Sequence, residues 1–126
     1  MKFHHVGLVF PSRIDAERVA RERFGEGAVS WQRVPAFACD CTFLAGHPMI
    51  ELVVPDAGSR LAKYLGASPT ALHHLAFSLA PFEPFPEPMM FATWAQGANG
   101  LLVNFGTPRD GLLIEYVYIC QNRMTT

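Results

Sequence analysis

The chain has 126 residues, of which 50% are hydrophobic, and its formal net charge is −1 at pH 7. This length supports one compact domain, and the hydrophobic content excludes an intrinsically disordered chain. The near-neutral charge provides no basic field for nucleic acid or an anionic membrane, and no apolar run approaches the roughly 20 residues that span a bilayer. We therefore expect neither nucleic acid nor a membrane as a partner.

The first half of the chain carries the signals of one helix among four strands. The strand-like stretch FHHVGLVF is followed by Ser12 and then RIDAERVARERF, with Asp15 placed as in a capping box. Gly25 suits the C-terminal cap of this helix. Its apolar stripe of helical spacing comprises Ile14, Ala16, Val19, Ala20 and Phe24. Three strand-like runs follow, AVSWQRV, ACDCTFLAG and PMIELVVP, so this half predicts the order β-α-β-β-β.

The second half repeats this order without its helix. A short helix, RLAKYLG after Ser59, is predicted to link the halves, and LHHLAFSL then opens the second set of strands. Residues 80–99 replace the helix, and their prolines occur at a density that forbids one: Pro81, Pro84, Pro86 and Pro88. This apolar segment is predicted to be a lid, a cover for the open face of the sheet, or an oligomer contact. Strands resume at LLVNF and LLIEYVY.

The two halves look like one module used twice, because each opens with a His-His strand and ends with Ile-Glu inside an apolar run. We predict an α+β fold of two βαβββ modules, the second lacking its full helix. In a single domain over residues 1–126, module 1 spans about 1–57, the linker helix about 59–66 and module 2 about 70–120.

The cysteines indicate the cellular compartment. Cys39, Cys41 and Cys120 are odd in number and have neither a CxxC nor a zinc-knuckle spacing. Reduced thiols in a cytoplasmic protein are the expectation.

Strand alternation distinguishes the two histidines of each pair. Successive side chains of a strand point to opposite faces, so only one histidine of each pair is expected to face a shared cavity. His5 shares its face with Gly7, and His74 shares its face with Ala76. These small neighbours leave room for a ligand, whereas the other histidine of each pair lies on the bulky apolar face.

The glutamates complete a candidate metal site. Glu51 and Glu115 each lie in mid-strand among apolar neighbours. A buried, unpaired carboxylate costs several kcal/mol, and a divalent cation removes that cost. A lone strand histidine is more often structural than a ligand, but both halves carry the same pattern. We therefore predict that His5, Glu51, His74 and Glu115 bind a divalent ion such as Zn, Co, Ni, Mn or Mg.

Longer stretches of the chain resemble a known family. The words IELVVPDAGSRLAKYLG…LHHLAF and VNFGTPRDGLLIEY are similar to those of methylmalonyl-CoA epimerase-like proteins in the vicinal oxygen chelate superfamily. That resemblance implies paired βαβββ modules whose curved mixed sheets enclose a metal-binding cavity. It also implies that one His and one carboxylate or amide from each module bind the metal, at the four positions above. It also implies a homodimer, which the apolar segment around Trp94 favours as well.

The resemblance further implies an activity. Epimerases of this kind act on a small acyl thioester or similar carbonyl compound through an enolate that a divalent metal stabilises. Asp40 falls where some of these epimerases have a carboxylate proposed as a base, and Glu115 is the candidate for the second acid or base. Alternation places Asp40 on the strand face opposite Cys39 and Cys41. Arg109, in the turn TPRDG, is a weaker candidate for contacting an anionic group.

Other functions of the same superfamily stay open from the sequence. A glyoxalase I-like lactoylglutathione lyase would use the same four ligands. A non-catalytic small-molecule-binding protein of the resistance type is the other alternative, although such proteins usually lack the ligands. An extradiol dioxygenase is disfavoured by the fourth candidate ligand and by the short chain.

Overall fold

A mixed sheet of eight strands forms the scaffold of the protein. A computed structural model describes residues 1–46 and 49–118, so Cys120 lies outside the described residues. The strands are β1 (Lys2–Val9), β2 (Gln32–Val34), β3 (Cys39–Leu44), β4 (Ile50–Pro55), β5 (Ala71–Ser78), β6 (Ala95–Gln96), β7 (Leu102–Phe105) and β8 (Ile114–Tyr118). The helices are α1 (Arg13–Phe24) and α2 (Arg60–Leu65), and single 3₁₀ turns lie at Pro35–Phe37 and Ala98–Gly100.

The order of the strands shows the internal repeat. It runs β2-β3-β4-β1-β5-β8-β7-β6, so each half contributes four adjacent strands. Within the halves, β1 pairs with β4 and β5 pairs with β8 in parallel, and β1 and β5 join the halves as an antiparallel pair. The predicted α+β fold with two related modules is confirmed. The central β1–β5 pair therefore lies between the closing strands of both modules.

Helix α1 follows its predicted signals at both ends. The side chain of Ser12 accepts a hydrogen bond from the backbone N–H of Asp15, and Gly25 ends the helix with a φ of 71°. Because L side chains rarely adopt that positive φ, glycine suits this position. Linker helix α2 likewise begins after Ser59, whose side chain accepts from the N–H of Ala62.

The buried face of α1 is narrower than its sequence predicts. Ala16 and Ala20 are buried and pack with Phe10 and Leu52, but Ile14 is 78% exposed. Only part of the apolar stripe that the sequence shows is therefore buried. Small alanine side chains let the helix approach the sheet closely, and the contact covers only the faces of the helix that carry them.

Residues 80–94, which we call the proline-rich segment, form no helix although all of them are described. This agrees with the prediction from the four prolines. Buried Asn104 fixes the segment, because its side chain accepts from the N–H of Phe91 at 3.1 Å and donates to the carbonyl of Phe91 at 3.0 Å. The N–H of Met90 also donates to the carbonyl of Phe105 at 2.7 Å. The segment is therefore a fixed part of the sheet's cover.

Aromatic stacking holds the outer part of the proline-rich segment. The ring centroid of Trp94 lies 4.5 Å from that of Tyr118, and Phe85 lies 4.6 Å from Tyr116. Tyr118 of the same chain thus shields part of the Trp94 ring from solvent. Phe82, in contrast, is 99% exposed. Among the described residues, neither helix has the length and apolar character required to cross a membrane.

Candidate metal centre

Both His-His pairs lie at irregularities in the pairing of β1 with β5. In the described register, His4 has no partner in β5, and His73 has none in β1. An extra residue of this kind forms a β-bulge, which interrupts the strict alternation of side chains. The prediction that each pair splits between two faces is therefore wrong for His73, because His73 and His74 line the same cavity.

The four predicted ligands converge between the two modules. The Nε2 atoms of His5 and His74 lie 3.1 Å apart. Glu51 Oε1 lies 3.4 Å from Nε2 of His5 and 3.2 Å from Nε2 of His74. Glu115 Oε1 lies 3.2 and 3.8 Å from the same two nitrogens. The structure thus brings together one histidine and one glutamate from each module.

Equivalent strand pairings place the two glutamates. Glu51 of β4 is the parallel partner of Gly7 in β1, two residues after His5. Glu115 of β8 is the parallel partner of Ala76 in β5, two residues after His74. The small side chains at both positions leave the space into which the carboxylates and imidazoles reach.

The position of Gly7 has no room for a side chain, because the imidazole ring of His74 from the other module lies against it. A Cβ atom on Gly7 would lie 2.6 Å from Nδ1 of His74 and would overlap the rest of the imidazole ring. Real Cβ contacts are not this short, so a larger residue would displace the ring of His74.

Burial makes the charges of this cluster costly unless they are compensated. The four residues are almost fully buried, with exposed fractions of 1–7%. Burial opposes the charge of His5, but the hydrogen bonds that it donates to Glu115 and Glu51 raise its pKa to about 9. Burial likewise opposes the charge of Glu51, yet hydrogen bonds from His5 and His74 lower the pKa of Glu51 well below its ordinary value.

The pKa values of the two adjacent histidines, His4 and His73, are lowered. Burial is the main cause that lowers the pKa of His73 to about 4, and the neighbouring charge of His74 adds to the effect. Burial and the charge of His5 lower the pKa of His4 in the same way. Both can therefore accept a hydrogen bond at one ring nitrogen near neutral pH.

The donor set fits a divalent ion of the first transition series. Ligand bonds to zinc are about 2.0–2.2 Å long, so the donors of a tetrahedral site lie about 3.4 Å apart. The nitrogen–oxygen and nitrogen–nitrogen distances in the cluster run from 3.1 to 3.8 Å. His5, Glu51 and His74 in particular offer donor atoms that all lie within 4.8 Å of one another. Two imidazoles and two carboxylates are also chemically suited to these ions.

A cavity of about 220 Å³ opens onto the cluster. Most of its wall is apolar and comes from both modules, including Phe43, Val103 and Phe105. The proline-rich segment adds Met90 and Phe91 to this wall. The segment therefore forms part of the cavity wall and also covers the sheet. The sequence had predicted a lid, a cover or an oligomer contact without choosing among them.

Three further polar side chains in the cavity wall were not singled out from the sequence. Cys39 and Cys41 face the cavity from β3, and Arg60 at the start of α2 lies at its wall. The two thiols are buried and free, with their sulfur atoms 3.7 Å apart. The hydrogen bond with Cys39 and burial raise the pKa of Cys41. Alternation along β3 indicated that the cysteines share a face, but the sequence did not show that this face meets the cavity.

Asp40 is not brought to the cavity. Its carboxylate receives a hydrogen bond from Arg13 at 2.8 Å and lies 3.4 Å from the guanidinium of Arg33. Because Cys39 and Cys41 face the cavity, alternation turns Asp40 to the opposite face of β3, next to helix α1. The expected role of Asp40 as a base thus gains no support from its position. Arg109 is exposed in its turn and is not among the side chains that line the cavity.

Comparisons with known proteins identify the fold. No family model and no curated protein match the sequence. Methylmalonyl-CoA epimerase from Mycobacterium tuberculosis has a TM-score of 0.83 at 21% identity, over 99% of this chain and 92% of that one. A hypothetical protein from Bacillus halodurans has a TM-score of 0.79 at 22% identity, over 94% of both chains.

A third structure carries a bound compound. A variant of Streptomyces coelicolor methylmalonyl-CoA epimerase in complex with 2-nitronate-propionyl-CoA has a TM-score of 0.77 at 18% identity. The match covers 94% of this chain and 96% of that one. The chain therefore has the vicinal oxygen chelate fold, as the resemblance of its sequence implied. At these identities the comparisons establish the fold alone.

We expect Gly7→Ala to weaken metal binding without unfolding the protein. The added methyl group displaces the ring of His74, so the affinity for Co(II) should fall at least tenfold in a spectroscopic titration. Gly27→Ala is the matched control, because nothing lies within 4 Å of the added atom. Equal Co(II) affinities for the two variants would contradict the account of Gly7.

Proposed function

We propose that this protein is a metal-dependent isomerase or epimerase that removes a proton from carbon next to a carbonyl group. Its substrate is a small acyl thioester or a related carbonyl compound, as in methylmalonyl-CoA epimerase. The observation that carries the proposal is the convergence of four buried donor side chains at an apolar cavity. The structural neighbours with acyl-CoA chemistry in their names support the choice of substrate class.

His5, Glu51, His74 and Glu115 are the residues that would bind the metal. When bound, a divalent cation supplies Lewis acidity, which stabilises the negative charge that develops on a carbonyl oxygen. The apolar wall contributes by excluding water, which strengthens every charge interaction inside the cavity. The adjacent strands β4, β1, β5 and β8 keep the four side chains in place before a substrate arrives.

Glu115 is our candidate for proton transfer at the substrate carbon. Its carboxylate lies in the cavity wall, whereas the carboxylate of Asp40 is engaged by arginines on the other face of β3. Epimerisation requires a second group that returns the proton on the opposite side of a planar intermediate. The thiols of Cys39 and Cys41 reach the cavity from module 1 and are available for that role.

The cavity also restricts the substrate. Its apolar wall fits a short aliphatic or aromatic body, and Arg60 is the one Lys or Arg side chain among the described residues that line it. An exposed guanidinium at this position suits phosphate or carboxylate groups of an acyl carrier. We therefore expect an apolar acyl group on an anionic carrier.

Metal content and hydrogen exchange test this function together. Elemental mass spectrometry should find about one divalent ion per wild-type chain. The metal-loaded protein should exchange the proton at C2 of a 2-methyl-branched acyl-CoA thioester with deuterium, followed by NMR. Glu115→Gln should lower the exchange rate at least 100-fold, because general-base contributions are typically 10²–10⁴-fold. Glu22→Gln, on the exposed surface of α1, should leave it unchanged.

Two results would contradict the proposal. One is a metal-loaded wild-type protein that exchanges no proton of such thioesters. The other is equal exchange rates for Glu115→Gln and Glu22→Gln.

Phe91 is expected to limit the length of the acyl group. Its ring centroid lies 6.2 Å from that of Phe105, which in turn lies 6.1 Å from His74. Phe91→Ala should therefore raise kcat/KM for longer acyl chains relative to shorter ones by about tenfold, since one methylene in a pocket changes selectivity 10–200-fold. Phe82→Ala, in the same segment but outside the cavity wall, should not change this ratio. Identical ratios for both variants would show that Phe91 does not bound the substrate.

A further inference from the structure

Each ligand histidine has a second histidine hydrogen-bonded to the back of its ring. The Nδ1 atoms of His4 and His5 lie 2.7 Å apart, and those of His73 and His74 lie 2.8 Å apart. The two contacts come from different strands and different modules, yet they use the same ring atoms. Because the same contact occurs in both modules, we look for one shared role of the two pairs.

The β-bulges make these contacts possible. In a regular strand the two histidines of a pair would point to opposite faces and their rings would not meet. The register of β1 shifts at His4 and that of β5 shifts at His73, and the two rings of each pair lie within hydrogen-bond distance. Aromatic neighbours support the outer rings, with Tyr64 5.2 Å from His73 and Phe43 6.5 Å from His4 between centroids.

Hydrogen-bond chemistry assigns the roles within each pair. A neutral imidazole carries one proton, so one ring nitrogen donates and the other accepts. The Nε2 atoms of His5 and His74 face each other and the two carboxylates. A metal ligand needs a free lone pair at Nε2, which leaves the proton of that ring on Nδ1. The Nδ1 atoms of His4 and His73 must then be the acceptors.

We infer that His4 and His73 are positioning residues that accept the Nδ1–H of His5 and His74 and so orient the Nε2 lone pairs toward the metal. This inference rests on the proposed metal site. Partners of this kind fix the tautomer and ring orientation of a ligand histidine, and their removal typically costs 10–100-fold in metal affinity. The usual partner is a carboxylate or a backbone carbonyl, whereas this protein uses a second imidazole at both ligands.

Two substitutions at His73 distinguish the effect of losing the hydrogen-bond acceptor from the effect of losing the imidazole ring. The Oδ1 atom of asparagine occupies nearly the same place as Nδ1 of histidine and accepts a hydrogen bond, whereas leucine has a similar size and accepts none. The affinity for Zn(II) is measured by competition with a chromogenic chelator. His73→Leu should lower it 10–100-fold, and His73→Asn should stay within about threefold of the wild type.

Nitrogen-15 NMR supplies a readout that does not depend on catalysis. In the zinc-loaded wild type, the Nδ1 atoms of His5 and His74 should carry the proton and their Nε2 atoms should carry none. The same measurements on His4→Asn and His4→Leu test the other module, so the inference stays testable if one of the His73 variants does not fold.

The outcomes distinguish this inference from the proposed function. Equal losses of zinc affinity for the asparagine and leucine variants at both positions, or no loss for either, would overturn the positioning roles alone. Zinc bound through Nδ1 of His5 and His74 would overturn them as well. A wild-type protein that binds no zinc would overturn the metal site itself, whereas zinc binding without proton exchange on thioesters would overturn only the proposed activity.

Discussion

The burial of two carboxylates beside two imidazoles is the constraint on which the rest of the structure depends. Glu51 and Glu115 are each 7% exposed, and their charges require compensation in an interior of low polarity. The closest compensating groups are His5 and His74, which the central strands bring together from opposite modules. A divalent cation bound by these four side chains would satisfy the same charges.

Small residues make this arrangement sterically possible. Gly7 gives the ring of His74 its space, and Ala76 occupies the equivalent position beside Glu115. The two modules thus meet at a pair of strands whose small side chains allow close approach. The cavity extends from this point between the sheet and the proline-rich segment. The histidines and glutamates line one part of it, and apolar side chains line the rest.

Much of the fold follows from local signals in the sequence. Capping by Ser12 and Gly25 located α1, and the prolines in residues 81–88 correctly excluded a second long helix. The repeat of His-His and Ile-Glu predicted which four side chains meet, and the distances among them agree with that prediction. Their service as metal ligands stays a prediction.

The rest could not be derived because it depends on tertiary contacts. Alternation assumes an unbroken strand, and the bulges at His4 and His73 break it without a glycine or proline to mark them. For Asp40, alternation correctly separated the carboxylate from the cysteines, but it could not tell which face of β3 meets the cavity. The arginines that bind Asp40 come from α1 and β2, and no pattern within β3 reveals them.

The central claim is that one ion binds between the modules, and anomalous X-ray diffraction at the zinc edge tests it most directly. Crystals grown with zinc should show a single strong anomalous peak between the two modules, within bonding distance of both Nε2 atoms and of both carboxylates. Saturating zinc with no peak at this place, and with His5 and His74 still in direct contact with Glu51 and Glu115, would contradict the account. The cluster would then be a network of buried ion pairs rather than a metal centre.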